Sequence, residues 1–262
     1  MLFSKSRALA RALSEQREKD ASAAALKNAP RMDKDLPLGI QLHGFIEVNS
    51  VPYFLLEDHG IAAKCPDGKQ KVIAYGRLPI PGGMTQHRFY LDNDFVLRVV
   101  TQDDNVVESE TVVFAKSEVH YPNGEDDWGQ WLGNESDAPQ KPGAKETIPR
   151  SIIGYETYQV GDENSPLYHR LVEADDALQE DAHYLLQPQI RPIIGQETYF
   201  IDPYDLNGKV ANRHLMFYGR QIGEEDKPTD EFVTVSSVAI GDDAWVESFT
   251  GIRAGHSDLT II

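Results

Sequence analysis

The sequence predicts an α+β protein that is mostly β: antiparallel, meander- or sandwich-like sheets with an N-terminal helix and a few short helices. Three observations carry that expectation. Residues 4–27 are rich in Ala, Leu, Arg, Glu and Gln and hold no Gly or Pro, a helical composition. From Leu36 to Lys116 the hydrophobic period changes to two and the punctuation becomes that of hairpins. No helical pattern alternates with those strand-like runs, which disfavours a parallel, doubly wound sheet.

Taken in order, residues 1–33 form a basic helical arm. Arg11, Glu15 and Lys19 fall four apart, which sets opposite charges together, and Pro30 supplies the stop. Leu2, Phe3, Leu9 and Leu13 lie near one helical face, with Lys5, Arg7 and Arg11 elsewhere. An amphipathic basic helix suits contact with an anionic membrane surface or with a partner helix, so these seven residues are the candidate contact set. Packing of the helix on its own domain is the plainer reading.

Residues 34–133 form the first antiparallel β region. Its strand-like runs are Gly39–Val48, Val51–Leu56, Gln70–Leu78, His87–Leu91, Phe95–Thr101 and Thr111–Ala115. Asp58-His59-Gly60, Pro66-Asp67-Gly68-Lys69, Pro81-Gly82-Gly83 and Asp92-Asn93-Asp94 separate them with turn chemistry. Asp126, Asp127, Trp128, Trp131 and Leu132 suit one short helix with its aromatic side inward. Residues 134–147, polar and broken by two prolines, read as a linker or long loop.

Residues 148–262 form a second β-rich region with an internal repeat. The run Ile152–Val160 recurs 41 residues later as Ile193–Ile201, identical or aliphatic-conservative at seven of nine positions. Each copy reads as a strand that opens a hairpin, returning through Leu167–Val172 and His214–Gly219. Near the end, Asp242 suits the cap of a short helix presenting Trp245, Val246 and Phe249.

Charge narrows the partners. The chain carries 25 basic and 42 acidic residues, a net of −17. Seven of those basic and three of those acidic residues fall within 1–31, a net of +4; the other 18 basic and 39 acidic residues leave −21 for the body. Such a body repels phosphate backbones, so no nucleic-acid partner is expected. One cysteine, Cys65, rules out an internal disulfide and fits a reducing compartment. With no apolar run near the ~20 residues of a membrane span, a cytoplasmic location is expected, peripheral to the inner membrane if the arm touches lipid.

A search for chemistry finds no established pattern. The eight histidines include no H-E-x-x-H pair, and a single cysteine leaves no C-x-x-C metal motif. His256, Ser257 and Asp258 are adjacent, whereas a catalytic triad converges across a fold. Asp92, Asp94, Asp103, Asp104, Glu108 and Glu110 gather near turns without calcium-loop spacing, so a solvated charged edge is the simpler reading. No phosphate-cradling glycine loop is present. No catalytic residue, metal or cofactor is therefore assigned, and the reading leans away from an enzyme.

Several short motifs nevertheless form an ordered set: Leu-Pro-Leu-Gly-Ile-Gln-Leu at 36–42, Phe-Leu-Leu-Glu-Asp at 54–58, Arg-Phe-Tyr at 88–90, Asp-Phe-Val at 94–96, Met-Phe-Tyr-Gly-Arg at 216–220 and Asp-Leu-Thr-Ile-Ile at 258–262. In that order they resemble an uncharacterised bacterial domain-of-unknown-function family, family 2491, over about residues 34–262. The resemblance implies context: such proteins tend to be encoded beside a phage-shock-protein-A-like membrane-remodelling protein, small membrane proteins and an enzyme resembling glutathionylspermidine synthase. It implies no catalytic residues.

The expectation is a non-enzymatic accessory or adaptor protein of a bacterial membrane-stress system. It would bind a protein partner, with the phage-shock-protein-A-like protein the one the resemblance suggests. The alternative is an enzyme, or a binding protein for a cationic small molecule such as a polyamine, using the acidic clusters.

Overall fold

The computed structural model describes residues 31–132, 153, 157–161, 165–170 and 193–262. Thirteen strands account for most of them: β1 (Phe45–Val48), β2 (Lys69–Ile80), β3 (Met84–Leu91), β4 (Phe95–Gln102), β5 (Asn105–Val106), β6 (Val112–His120), β7 (Thr157–Gln159), β8 (Leu167–Arg170), β9 (Ile193–Phe200), β10 (Lys209–Glu224), β11 (Lys227–Ile240), β12 (Asp243–Arg253) and β13 (Leu259–Ile261). Two short α-helices join them, α1 (Val51–Leu55) and α2 (Glu125–Leu132).

Every pairing among these strands is antiparallel, and eight of them close on themselves. Around the ring, β2 pairs β3, β3 pairs β4, β4 pairs β6 and β6 pairs β12. Then β12 pairs β11, β11 pairs β10, β10 pairs β9, and β9 returns to β2 through Tyr75 opposite Phe200 and Arg77 opposite Thr198. Closure removes the sheet edges that an open meander would expose. Strands from both sides of residues 134–147 build the one ring.

Side-chain alternation then sorts the chain into a lumen and two outer cores. The lumen takes Leu78, Ile80, Met84, Val96, Val100, Val112, Phe114, Ile193, Leu215, Phe217, Phe232 and Phe249. Eight strands leave an interior that side chains just fill. Outside the ring, Tyr75, Phe89, Leu91, Leu97, Val99 and Val113 pack beneath Ile40, Leu42, Ile46, Val48, Tyr53 and Leu56. On another outer face, Met216, Tyr218, Val233, Val235 and Val246 lie beneath Tyr158, Tyr168, Ile153 and the Trp128, Trp131 and Leu132 side of α2. The helix expected around residues 126–132 is thus present, aromatic side inward. An extra residue in β2 between Val72 and Ala74 lets Val72 and Tyr75 face one outer core while Ala74 and Gly76 turn inward.

This architecture corrects the α+β expectation. The described chain is mostly antiparallel β-sheet with two short helices, and no N-terminal helix stands among the described residues; the helix expected over 4–27 lies outside them. The physical reason is that the barrel wall buries both faces, one in the lumen and one under strands and turns of the same chain, so no helical layer is required. Two local expectations change as well. Val51–Leu55 is helical, because Pro52 sits in the first helical turn, where its missing N–H costs nothing, whereas a strand ladder would need that donor. Trp245, Val246 and Phe249 lie on β12, not on a helix, and Gly241 at φ +60° with Asp242 forms the β11–β12 turn.

The two repeat copies occupy different places. Ile193–Phe200 forms β9 in the barrel wall, hairpinned to β10. In the earlier copy Thr157–Gln159 forms β7 outside the ring, hairpinned to β8, and its Tyr158 is buried in an outer core against Tyr218.

Candidate functional site

Two places collect chemistry: a charged cluster in the lumen, and a groove on the outside. The lumen cluster forms because the inward positions of five strands carry polar side chains at one stretch of the ring. Arg88 and Tyr90 come from β3, Glu197 and Tyr199 from β9, Arg213 from β10, Ser236 from β11 and Glu247 from β12. Arg213 is central and 1% exposed. Its Nε pairs with Glu197, its Nη1 donates to Ser236 Oγ at 2.7 Å and Glu247 Oε1 at 2.8 Å, and its Nη2 donates to Tyr90 Oη at 2.9 Å and to Tyr199 Oη. Tyr90 Oη donates to Glu197 Oε1 at 2.9 Å, and Trp245 Nε1 donates to Glu247 Oε2 at 3.1 Å. Arg88 lies 3.8 Å from both Glu197 and Glu247, its guanidinium over the Phe249 ring.

Space for Glu197 comes from Gly76 across the β2–β9 pairing: a Cβ there would overlap the Glu197 carboxylate. Burial alone would push the Glu247 carboxyl up, but Arg213, Arg88 and the bond from Trp245 outweigh it and hold it below the usual range. Burial pushes the Tyr90 and Tyr199 phenols up, so they stay protonated and neutral. Burial works against the Arg213 charge, and the carboxylates of Glu197 and Glu247 help to outweigh it. Two guanidiniums, Arg88 and Arg213, face two carboxylates, Glu197 and Glu247, so the cluster balances its own charge. Its bonds link β3, β9, β10, β11 and β12 through one buried network.

A second carboxylate hub supports the outer surface. Glu231, fully buried, accepts from Ala62 N at 2.7 Å, Ala63 N at 2.6 Å, Tyr168 Oη at 2.9 Å and Arg220 Nε at 2.7 Å. It thereby ties residues 62–63, β8 and β10 to β11, and fixes the segment that follows α1.

The groove lies between α1 and the β10–β11 hairpin and measures about 670 Å³, within the range of binding clefts. Val51, Pro52, Leu55, Leu56 and Ile252 give it an apolar lining, with Asn49, His59, Glu224, Lys227, Arg253 and Asp258 at its polar positions. Asn49 Nδ2 donates to Asp258 Oδ1 at 3.0 Å and Val51 N donates to Asn49 Oδ1 at 3.1 Å, so the helix start is anchored to the far end of the chain. Beside the groove Phe54 is 70% exposed, Leu55 67% and Val51 56%, which concentrates three large apolar side chains on one helical turn.

The candidate contact set Leu2, Phe3, Lys5, Arg7, Leu9, Arg11 and Leu13 lies outside the described residues. Of the acidic group near turns, Asp94 pairs with Lys116, Asp92 Oδ1 accepts from Lys71 N at 2.8 Å, and Asp103 and Asp104 form the two-residue β4–β5 turn at φ +49° and +63°. Glu110 differs: it is buried and meets Arg98 at 2.5 Å. Among the described residues no group of three His, Cys, Asp or Glu side chains is placed to hold a metal, and no helix is long and apolar enough to cross a membrane. Sequence reading missed both the lumen cluster and the groove. The available signals were polar residues at alternating strand positions, as Gln86 and Arg88 in Gln86-His87-Arg88, and a proline inside an apolar run.

Fold and cluster together define a closed antiparallel β-barrel with a packed, ion-paired interior. The chain belongs to the family described as protein of unknown function DUF2491, whose model matches residues 14–260. No curated protein and no solved structure matches it.

Proposed function

We propose that this chain is a non-enzymatic adaptor of a bacterial membrane-stress system that docks a protein partner in the groove between α1 and the β10–β11 hairpin. The observation that carries the reading is the placement of exposed Val51 and Leu55 in the lining of an apolar cleft, with exposed Phe54 on the same helical turn. Each such side chain gains about 1.5–3 kcal/mol when fully covered. Glu224 and Asp258 line the cleft beside Lys227 and Arg253, and exposed Glu57, Asp58, Glu225 and Asp226 neighbour the lining residues along the chain, on a body of net −21. That combination fits the apolar face of an amphipathic helix flanked by Lys and Arg. The phage-shock-protein-A-like protein suggested by the resemblance is the partner to try first. In this reading Leu2, Phe3, Leu9 and Leu13 of the arm, with Lys5, Arg7 and Arg11, supply a peripheral membrane contact.

The polyamine alternative draws less support. The lumen cavity beside Arg88 and Arg98 measures about 10 Å³, too small for a polyamine, and in the groove Lys227 and Arg253 stand among Glu224 and Asp258.

The test is binding of the full chain to the purified phage-shock-protein-A-like protein by titration calorimetry. The double variant Phe54→Asp, Leu55→Asp should weaken binding at least tenfold while its circular dichroism spectrum stays unchanged, since both side chains already face solvent. Undiminished binding by that variant would overturn the proposal.

A further inference from the structure

Within the lumen is a cavity of about 10 Å³, walled by Phe114, Leu215 and Phe217 and lined on its polar side by Gln86, Arg88, Arg98 and Thr234. These four side chains are 1%, 4%, 2% and 4% exposed. Each has one buried atom with no hydrogen-bond partner among the described residues: Gln86 Oε1, Arg88 Nη1, Arg98 Nη1 and Thr234 Oγ1. Arg88 Nη1 is 3.8 Å from Glu197 Oε2, within ion-pair range but beyond hydrogen-bond length. Four such atoms in one buried spot would cost about 1–3 kcal/mol apiece.

We infer that this cavity is a binding site for a single water molecule, held by Gln86, Arg88, Arg98 and Thr234 as a fixed part of the barrel. The donor and acceptor count selects the ligand. Two guanidinium nitrogens donate, one amide oxygen accepts, and one hydroxyl accepts as well as donates. A water accepts both guanidinium bonds and donates to Gln86 Oε1 and Thr234 Oγ1, which uses all four of its positions. The volume is that of about one water. Two guanidiniums repel any cation. A halide would face the Gln86 oxygen, and it would add charge where Arg88, Arg98 and Arg213 already match Glu110, Glu197 and Glu247.

The site also resolves a conflict in the strand register. Arg88 and Arg98 stand directly opposite each other on β3 and β4, an arrangement of like charges that destabilises a sheet. Burial, and the neighbouring guanidiniums of Arg253 and Arg88, lower the Arg98 pKa, while Glu110 opposes them. A water bonded to both guanidiniums separates them with its oxygen dipole. It also joins the Arg98–Glu110 pair to the Arg213 cluster, so that one continuous polar thread runs through the lumen.

The test is a high-resolution crystal structure of the full chain, with a parallel crystal grown in bromide in place of chloride. The inference predicts one density peak about 2.7–3.2 Å from Arg88 Nη1 and Arg98 Nη1, unchanged in bromide and without anomalous signal. A cavity lacking density, or an anomalous peak marking a bromide ion, would overturn it.

Discussion

Lowering the pH across the range of histidine should destabilise this protein, with His87 the largest contributor and His214 adding in the same direction. Its ring is buried in the outer core between two hydroxyls, with Tyr75 Oη 2.7 Å from Nδ1 and Thr101 Oγ1 2.9 Å from Nε2. A neutral imidazole satisfies that pair, accepting from one hydroxyl and donating to the other; an imidazolium would donate to both, so what disfavours it is the burial of its charge. Burial, with Arg77 adding to it and Asp104 opposing it, pushes the His87 pKa down to about 4. In the unfolded chain the same ring titrates at about 6.5. Between those values the unfolded state binds a proton that the folded state refuses, so stability is full above about pH 6.5 and falls as the pH drops towards about 4. The loss from this group is about 2 kcal/mol at pH 5 and about 3 kcal/mol at pH 4. Urea unfolding of wild type and His87→Gln at pH 7.5, 5 and 4 measures it. His214, lowered by burial, and Asp33 and Glu247, held below the usual carboxylate range by their arginines, titrate alike in both proteins. The difference between the two curves therefore isolates His87. Wild type should lose its advantage over the variant by about 2 kcal/mol between pH 7.5 and 5. Parallel curves would refute the assignment of a neutral, buried His87.

Two further perturbations address the lumen. Arg213→Met strands Glu197 and Glu247 in the interior, with an expected cost of about 3–5 kcal/mol in urea unfolding, and adding Glu197→Gln and Glu247→Gln should recover part of it. A loss below about 1 kcal/mol would mean that the cluster does not hold the barrel. Gly76→Ala puts a Cβ onto the Glu197 carboxylate at the β2–β9 closure, so it should cost about 3 kcal/mol and speed amide exchange in β9 before other strands. Wild-type exchange in that variant would contradict the closure.

Strand character in residues 69–120 was legible because β-branched and aromatic runs are separated by Asp-Gly, Gly-Gly and Asp-Asn-Asp turns, and β2, β3, β4 and β6 follow them closely. Closure was not, since Tyr75 meets Phe200 across a separation that no local pattern encodes. The interior charges were not legible either. In Gln86-His87-Arg88-Phe89 the alternation places His87 and Phe89 inside and Gln86 and Arg88 in solvent, but a barrel wall with an outer core buries both sets. Val51-Pro52-Tyr53-Phe54-Leu55 has strand composition, and only Pro52 with the anchoring Asn49 marks it as a helical turn. The groove beside it needs the β10–β11 hairpin and Ile252, which are distant in sequence. Asp242 has the residue type of a helix cap, yet Gly241 in the left-handed region commits the pair to a hairpin turn.

The most direct test of the docking account is photo-crosslinking in the native host, with a photoreactive amino acid at Leu55 on the groove and, in a second strain, at Asn212 on another exposed face of the barrel. The account predicts a single dominant adduct from position 55, containing the phage-shock-protein-A-like protein, with its crosslinked peptide an amphipathic segment bearing Lys and Arg. Position 212 should give that adduct weakly or not at all. Equal adducts from both positions, or a position-55 adduct formed only with the chain's own residues 1–31, would contradict partner docking in the groove.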